Sequence, residues 1–350
     1  MARRPLLSLF GALAIVVAAC TGSPAATPTA APTAALTEAP TAEPTQAGPD
    51  SLVIGFVPSR EAEALVEDIK PLSDYLSQQL GIPVEGFVSN DYTGLVTAME
   101  TGQAQIGAFA PFPMIQAVDR AGAEIILQSE RFGSGTYHTQ FFTNNPDKYC
   151  TVSEPEENER IEDDVPTMYL NCNGTARAND ESPEGPVAVE ALQNVDDGTN
   201  VSFVEQTSSS GYIFPATVFA TQGIDIVSGI NPIFAGAHDR SVIAVCLGQA
   251  EVGVSFDDAR PDAAEVSDCA IAEEVVVFAY GPEIPNDGIV VAGDLPQEMK
   301  DAIKQALLDY AASEEGKVTL DEIYNITALT EPNLESLQIV RDAVENLDLN

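Results

Sequence analysis

The sequence predicts an α/β protein with two lobes, each a mostly parallel sheet flanked by helices, and a ligand cleft between the lobes. Three observations support this prediction. Short apolar runs alternate with segments of helical periodicity, the alternation occurs in two blocks, and a polar, acidic stretch separates the blocks. The chain has 350 residues, and its folded part is long enough for two domains.

The first block starts with the apolar run Leu52–Val57, which suits a buried parallel strand because Pro58 ends it after a few residues. Leucines at helical spacing follow from residue 65 to residue 80, and Gly81 is placed to end that helix. The rest of the block is predicted as a strand at 84–88, a helix at 92–99, a strand at 106–109, a helix at 113–120 and a strand at 137–143.

The acidic stretch of about residues 145–184 has no clear periodicity and contains Cys150 and Cys172. We therefore expect it to be a disulfide-stapled insertion on the surface. The second block is predicted as a strand at 200–205, a helix after 211, a strand at 233–235, a helix at 239–248 and a strand at 252–256.

Beyond the second block, an apolar run at 275–279 is expected to return the chain to the first lobe. Pro296 then opens an amphipathic helix, and apolar residues between 334 and 340 predict a last packing helix. The predicted lobes are residues 51–140 with 275–350 for lobe 1, and residues 141–274 for lobe 2.

The N-terminal residues are typical of an export signal. Arg3 and Arg4 precede an apolar run at 6–17, and small residues stand directly before Cys20. We expect cleavage before Cys20 and lipidation of that cysteine; an ordinary cleaved signal is the alternative, and the export route stays open. Residues 21–50 are rich in Thr, Ala and Pro without apolar periodicity, which predicts a disordered tether.

The charge of the chain restricts its partners. There are 54 acidic and 15 basic residues, for a net charge of −39. Such a body is not expected to bind nucleic acid, and anionic membrane surfaces should repel it. Its only expected association with the membrane is through the lipid anchor.

Cysteine usage agrees with export. With Cys20 assigned to lipid, four cysteines remain, which allow three pairings. Local disulfides Cys150–Cys172 and Cys246–Cys269 are the simplest of these. The chain has two histidines and no closely spaced cysteine pair, so we expect no zinc site, no other metal and no cofactor.

A serine cluster stands at one predicted strand-to-helix junction. Ser208, Ser209 and Ser210 follow the strand at 200–205 and precede a helix. Hydroxyls beside the free amides and positive dipole of a helix N-terminus form an anion cradle without lysine. The alternative is a plain serine N-cap, for which one serine would be enough.

Other junctions carry polar residues that could face the same cleft. Tyr92 follows Asp91 at the start of a helix, where its hydroxyl could donate to a ligand or its ring could simply pack. In the second lobe, His238 and Asp239 start a helix, and Asp257 follows a strand. Carboxylates at such strand ends are candidate ligand groups, and N-capping or a solvated turn is the alternative.

An ordered set of motifs carries a family resemblance. They are IGFVPS, PLSDYLSQQLGIPV, DYTGLVTAMETGQAQIGAFAPF, TSSSGYIFP, FAGAHDRSVIAVCLGQAEVGVSFDD, PNDGIVV and DLPQEMKDAIKQALL. Together they resemble the phosphate/phosphite/phosphonate-binding proteins of ABC importers over most of residues 51–315. The insertion around Cys150 and Cys172 departs from the family.

The resemblance implies a two-lobed, type II-like periplasmic-binding-protein fold that closes on its ligand. It implies that the serines 208–210 and Tyr92 contact the phosphonyl oxygens, and that Asp239 and Asp257 face the amine of an aminophosphonate. His238 would contact a protonated ligand oxygen or support Asp239. The implied protein is a monomeric, lipid-anchored, extracytoplasmic carrier that delivers its ligand to an ABC permease.

Three other functions are alternatives to this one. A hydrolase triad of a serine with His238 and Asp239 is disfavoured, because neighbouring residues cannot readily take the base-to-carboxylate geometry, and no GxSxG motif occurs. A binding protein of the same fold for a sulfonate, nitrate or thiamine precursor remains an alternative. So does a tethered sensor that signals to a membrane kinase.

Overall fold

The computed structural model describes residues 48–162, 165–177 and 185–347, apart from the side chains at positions 161, 162 and 165. Cys20 and most of the predicted tether lie outside the described residues. The strands of the described part are β1 (Leu52–Phe56), β2 (Val84–Val88), β3 (Ile106–Phe109), β4 (Glu124–Glu130), β5 (Thr136–Thr143), β6 (Glu156–Glu162), β7 (Val165–Asn171), β8 (Thr199–Phe203), β9 (Ile230–Phe234), β10 (Val252–Phe256), β11 (Val276–Pro285), β12 (Gly288–Val291) and β13 (Ala328–Thr330).

The helices of the described part are α1 (Ala62–Asp68), α2 (Lys70–Leu80), α3 (Tyr92–Glu100), α4 (Pro111–Ala121), α5 (Pro146–Tyr149), α6 (Phe214–Thr221), α7 (His238–Cys246), α8 (Arg260–Glu265), α9 (Ile271–Glu274), α10 (Gln297–Ala312), α11 (Glu314–Tyr324) and α12 (Gln338–Asn346). A 3₁₀ helix spans Val189–Asn194, and a π-helical turn, Ser209–Ile213, leads directly into α6. Among these residues, no helix is both long and apolar enough to cross a bilayer.

Two sheets with related topology form the two lobes, as predicted. The first has the order β13-β4-β12-β3-β1-β2, and the second has the order β6-β7-β11-β5-β10-β8-β9. Strands β1, β2 and β3 are parallel, as are β8, β9 and β10. Each sheet is completed by a central antiparallel strand, β12 or β5, that follows a crossing between the lobes.

The crossings differ in position from the predicted lobe boundaries. Both β5 and β11 belong to the second sheet, where they pair antiparallel from Thr143 opposite Val276 to Thr136 opposite Pro285. The predicted boundary at residue 140 therefore falls inside a strand of lobe 2. The apolar run expected to re-enter lobe 1 at 275 is also a lobe 2 strand. The chain returns to lobe 1 only between β11 and β12.

The described part of the acidic insertion contributes two strands to one edge of the second sheet, and these strands were not predicted. Strand β7 pairs parallel with β11, and β6 pairs antiparallel with β7. Asn158, Arg160 and Tyr169 are buried in this hairpin. The buried positions of β6 are polar, so the two-residue repeat of the strand was invisible to a search for apolar periodicity.

Both predicted disulfides are present. Cys150–Cys172 connects the segment after α5 to the end of β7, with a Cα–Cα distance of 5.6 Å. Cys246–Cys269 connects the end of α7 to the segment before α9, with a Cα–Cα distance of 6.4 Å. The first disulfide therefore ties the β6–β7 hairpin to lobe 2.

Candidate anion-binding cleft

A cavity of about 480 Å³ lies between the two sheets and is lined by residues of both lobes. The carboxyl ends of parallel strands from each sheet meet there, as expected for ligand sites of open α/β sheets. The predicted site residues on its wall are Tyr92, Ser208, Ser210, His238 and Asp257. Ser209 and Asp239 are buried but do not line it.

The serine turn forms one wall of the cavity at a helix N-terminus. The Ser208 side chain is the N-cap and accepts a hydrogen bond from the Gly211 amide at 3.2 Å. The amides of Ser209 and Ser210 come first in the helix, where no carbonyl one turn earlier can accept from them. This turn therefore presents hydroxyls, amide donors and the positive end of the helix dipole to the cavity.

Two tyrosine hydroxyls lie close to this turn. The Tyr92 hydroxyl is buried near Ser208, and within the described residues no hydrogen-bond partner of ordinary geometry is found for it. Tyr137, which the sequence analysis did not select, lines the cavity near Ser210. Burial raises the pKa of both phenols above the usual range, so each remains a protonated donor.

His238 contributes a neutral donor. Its Nδ1 accepts a hydrogen bond from the Phe256 amide at 3.1 Å, which leaves the ring proton on Nε2. Burial, with the nearby positive charge of Arg131, lowers the pKa of His238 to about 3. The imidazole is therefore uncharged at neutral pH and can donate from Nε2 to an anion in the cavity.

Asp257 already has protein partners. Its Oδ2 lies 3.0 Å from Nη1 of Arg177, and its Oδ1 accepts from the His138 amide at 3.0 Å. Burial alone would raise the pKa of Asp257, but Arg177 and His138 reverse this and hold the pKa below its usual range. The carboxylate is thus ionised and compensated.

Four arginines on the cavity wall escaped the sequence analysis, and they are Arg60, Arg131, Arg160 and Arg177. Arg131 lies 2.6 Å from Asp287 and 5.5 Å above the ring of Tyr137. The sequence offered only one signal for them, namely that basic residues are rare in a chain of net charge −39. Arg131 and Arg177 lie in the segments that follow β4 and β7, and local sequence patterns do not fix the course of such segments.

Ser209 and Asp239, the two predicted site residues that do not line the cavity, form hydrogen bonds between the lobes instead. The Ser209 hydroxyl accepts from the Phe112 amide at 2.9 Å, and Asp239 accepts from the Glu61 amide at 3.1 Å. Glu205, also in lobe 2, accepts from the Tyr92 amide at 3.1 Å. These amides belong to the N-terminal ends of α4, α1 and α3 in lobe 1, so lobe 2 caps helices of lobe 1 across the cleft.

The fold and this cleft define the class of protein. Two α/β lobes closed around a buried polar cavity form a binding protein of the periplasmic type. The described residues contain no group of three or more His, Cys, Asp or Glu side chains that could hold a metal ion. The chain belongs to the family described as ABC transporter, phosphonate, periplasmic substrate-binding protein, which it matches over residues 54–337.

Individual relatives are distant. The chain is 24% identical over 216 residues to the phosphate-import protein PhnD of Mycolicibacterium smegmatis, covering 60% of this chain and 56% of that protein. The match therefore spans little more than half of that relative. The chain is also 23% identical over 275 residues to the phosphonates-binding periplasmic protein of Escherichia coli, covering 78% and 70% of the two chains.

A solved structure shows the same fold. PhnD1 from Prochlorococcus marinus, in complex with methylphosphonate, has a TM-score of 0.68 and 17% identity to this chain. The superposition covers 85% of this chain and 98% of PhnD1.

Proposed function

We propose that this protein captures a phosphorus oxyanion, namely a phosphonate, phosphite or phosphate, outside the cytoplasmic membrane and delivers it to an ABC permease. It acts as a monomer held at the membrane by lipid on Cys20. The observation that carries the proposal is the buried Tyr92 hydroxyl, which lies near the serine turn and has no hydrogen-bond partner of ordinary geometry in the part of the chain that the structure describes.

The donors of the cleft suit a tetrahedral oxyanion. Tyr92, the amides of the serine turn and Nε2 of His238 are all uncharged, so they stabilise an anion without a lysine. Short hydrogen bonds of this kind can oppose the repulsion that a body of net charge −39 exerts on an anion. Closure desolvates the ligand and thereby strengthens each of these contacts.

The same geometry argues against hydrolysis. In a Ser-His-Asp triad Nδ1 of the histidine donates to the carboxylate, but Nδ1 of His238 accepts from a backbone amide. Asp239 is directed to the Glu61 amide and to its own neighbour's amide instead. A role in binding and delivery agrees with the family, whose members are transporter components.

The relatives support the ligand class. The M. smegmatis protein is named for phosphate import, the E. coli protein for phosphonate binding, and PhnD1 was solved with methylphosphonate. All three ligands share a tetrahedral phosphorus centre with charged oxygens. We assign that shared group to the serine turn and Tyr92.

The test is isothermal titration calorimetry of the chain from residue 21 onward with phosphate, phosphite, methylphosphonate and sulfate. We expect at least one phosphorus anion to bind tenfold or more tightly than sulfate, because sulfate has no proton to offer a cavity that contains carboxylates. Equal affinity for sulfate would reject the proposal and favour a sulfonate-type ligand.

A variant pair locates the site. Ser208→Ala removes a cavity-lining hydroxyl and the helix cap, whereas Ser228→Ala removes an exposed serine hydroxyl far along the chain from the turn. Loss of a hydrogen bond to a charged group costs about 1.5–3 kcal/mol, so Ser208→Ala should weaken binding by roughly tenfold or more. Matching affinities in the two variants would place the site elsewhere.

A further inference from the structure

The first crossing between the lobes is a tight turn with two central residues. The Arg131 amide donates to the Ser134 carbonyl at 3.0 Å, and the Ser134 amide donates to the Arg131 carbonyl at 2.9 Å. Both central residues have positive φ angles, 51° at Phe132 and 76° at Gly133. A two-residue turn with positive φ at both positions strongly prefers the sequence Asn-Gly.

Phenylalanine is an unfavourable residue at the first of these positions. In the left-handed region the Cβ atom lies too close to a carbonyl oxygen, so glycine adopts this conformation freely, Asn and Asp tolerate it, and bulky residues are rare there. Such residues persist where the surrounding structure holds them, and they cluster at ligand sites. Phe132 therefore destabilises its own turn, which points to a role for its side chain outside the turn.

Neighbouring segments hold the turn in place. On the lobe 1 side, the Thr327 amide donates to the Glu130 carbonyl at 2.8 Å. Asn286, which belongs to the second crossing, donates from Nδ2 to the Ser134 carbonyl at 2.7 Å. The turn is thus bonded to lobe 1 on one side and to the second crossing on the other.

Phe132 is an exposed aromatic residue on the wall of the ligand cavity. It lines the cavity and is 47% exposed, and no other exposed large apolar residue in the described part of the chain lies on this wall. It follows Arg131, whose guanidinium lies 5.5 Å from the centre of the Tyr137 ring. Tyr137 in turn lies near Ser210 of the serine turn. Phe132 therefore shares a wall with the donors proposed for the oxyanion.

The cavity is larger than an inorganic oxyanion requires. Its volume is about 480 Å³, whereas a water molecule occupies about 30 Å³ in the liquid and a phosphate ion only a few times more. An organic substituent on phosphorus therefore fits inside the cavity together with the phosphonyl group. Where such a substituent packs on an aromatic ring, both lose apolar surface to water and binding becomes more favourable.

We infer that Phe132 determines specificity by packing against the organic substituent of a phosphonate, so that the protein favours phosphonates with an apolar substituent over phosphate and phosphite. The inference rests on the proposed function and narrows its substrate class. The unfavourable backbone conformation of Phe132 is then explained by ligand selection.

The test uses ligands that differ only in apolar surface. The cavity wall also carries carboxylates and arginines, so the substituents compared are uncharged. n-Propylphosphonate has two methylenes more than methylphosphonate, and each buried methylene is worth roughly fourfold in affinity. In calorimetry we expect n-propylphosphonate to bind about fivefold or more tightly than methylphosphonate, with a more negative heat-capacity change.

The outcomes of this comparison are distinct. Equal or weaker binding of n-propylphosphonate would overturn the inference while leaving the proposed function intact. Binding of no phosphorus anion at all would overturn both.

The variant Phe132→Asn separates ligand selection from stability. Asparagine suits this turn position, so we expect the variant to unfold at a higher denaturant concentration than the wild type. Its preference for n-propylphosphonate over methylphosphonate should fall by about threefold or more, while its affinity for phosphite changes by less than about twofold. An unchanged preference in this variant would refute the role of the ring.

Two control variants assign the effect to an apolar side chain at this position. Phe132→Leu keeps apolar bulk and should retain most of the preference. Val227→Asn introduces asparagine at an apolar residue that is 84% exposed and does not line the cavity, and it should keep the wild-type preference. Loss of the preference in Val227→Asn as well would overturn the assignment to Phe132. Wild-type binding of every ligand by Phe132→Asn, with slower uptake in cells, would assign the ring to the permease instead and also overturn the inference.

Discussion

Removal of the Ser209 hydroxyl should weaken ligand binding because it destabilises the closed state, although this side chain does not line the cavity. In the structure, Ser209 accepts from the Phe112 amide at 2.9 Å across the cleft. When the lobes separate, water replaces the serine at this amide, so Ser209→Ala penalises only the closed form. The free energy of closure should therefore become less favourable, while the free energy of unfolding changes little.

The magnitude follows from the type of bond. A neutral hydrogen bond contributes about 0.5–1.5 kcal/mol net, which corresponds to a factor of roughly 2–13 in the closed population. Where closure is required for binding and the open form dominates, the apparent Kd rises by the same factor. Asp239→Ala removes the charged acceptor of the Glu61 amide and should act in the same direction.

Two measurements separate this role from ligand contact. Small-angle X-ray scattering or a fluorescence pair with one dye on each lobe reports the fraction closed, and calorimetry reports the Kd. We expect Ser209→Ala to lower the closed fraction both with and without ligand, whereas Ser228→Ala should not. Weaker binding with an unchanged closed fraction would show that Ser209 touches the ligand, as the sequence resemblance implied, and would refute the closure argument.

Three further predictions concern single groups. Tyr92→Phe should weaken anion binding by roughly tenfold or more in calorimetry, because a hydrogen bond to a charged oxygen is worth about 1.5–3 kcal/mol; an unchanged Kd would remove this phenol from the site. Burial raises the pKa of Asp262 from 3.8 to about 7, so the folded state holds this proton more tightly and the free energy of unfolding should fall as pH rises through that interval. Denaturant titrations across that pH range should show a smaller fall for Asp262→Asn, and identical profiles would contradict the shift. Cys20→Ala should leave the membrane fraction, and a wild-type protein that is itself found soluble without lipid would refute the anchor.

Much of the fold could be predicted because its parallel strands are buried on both faces. The run of β1 is continuously apolar and that of β10 is interrupted only by Ser255, and Gly81 ends α2 in the left-handed conformation expected of a helix C-cap. Strand β6, which contributes Arg160 to the cavity wall, gave no such signal. In β6 the buried positions include Asn158 and Arg160, so the hairpin resembled a solvated insertion.

The candidate site was predictable only where a local rule applied. A serine cluster before a helix, or a tyrosine at a helix start, can be interpreted from a few neighbouring residues alone. Arg131 and Arg177 have no such rule, because they reach the cavity only after the lobes have folded and closed. Which serines of the triplet line the cavity and which contact the other lobe also depends on that lobe, where the Phe112 amide donates to the Ser209 hydroxyl.

The distribution of donors and capping oxygens explains how binding can be tied to closure. Lobe 1 supplies the Tyr92 hydroxyl and lobe 2 supplies the serine turn and His238, so the proposed site is complete only when the lobes meet. The amides of Glu61, Tyr92 and Phe112 that lobe 2 caps are already solvated in an open form, so each cap contributes only about 0.5–3 kcal/mol net. The conformational entropy lost on closure opposes these hydrogen bonds, so closure should be reversible. An anion bound by both lobes adds several charge-assisted hydrogen bonds to the closed form alone, and this difference in affinity is what shifts the equilibrium toward closure.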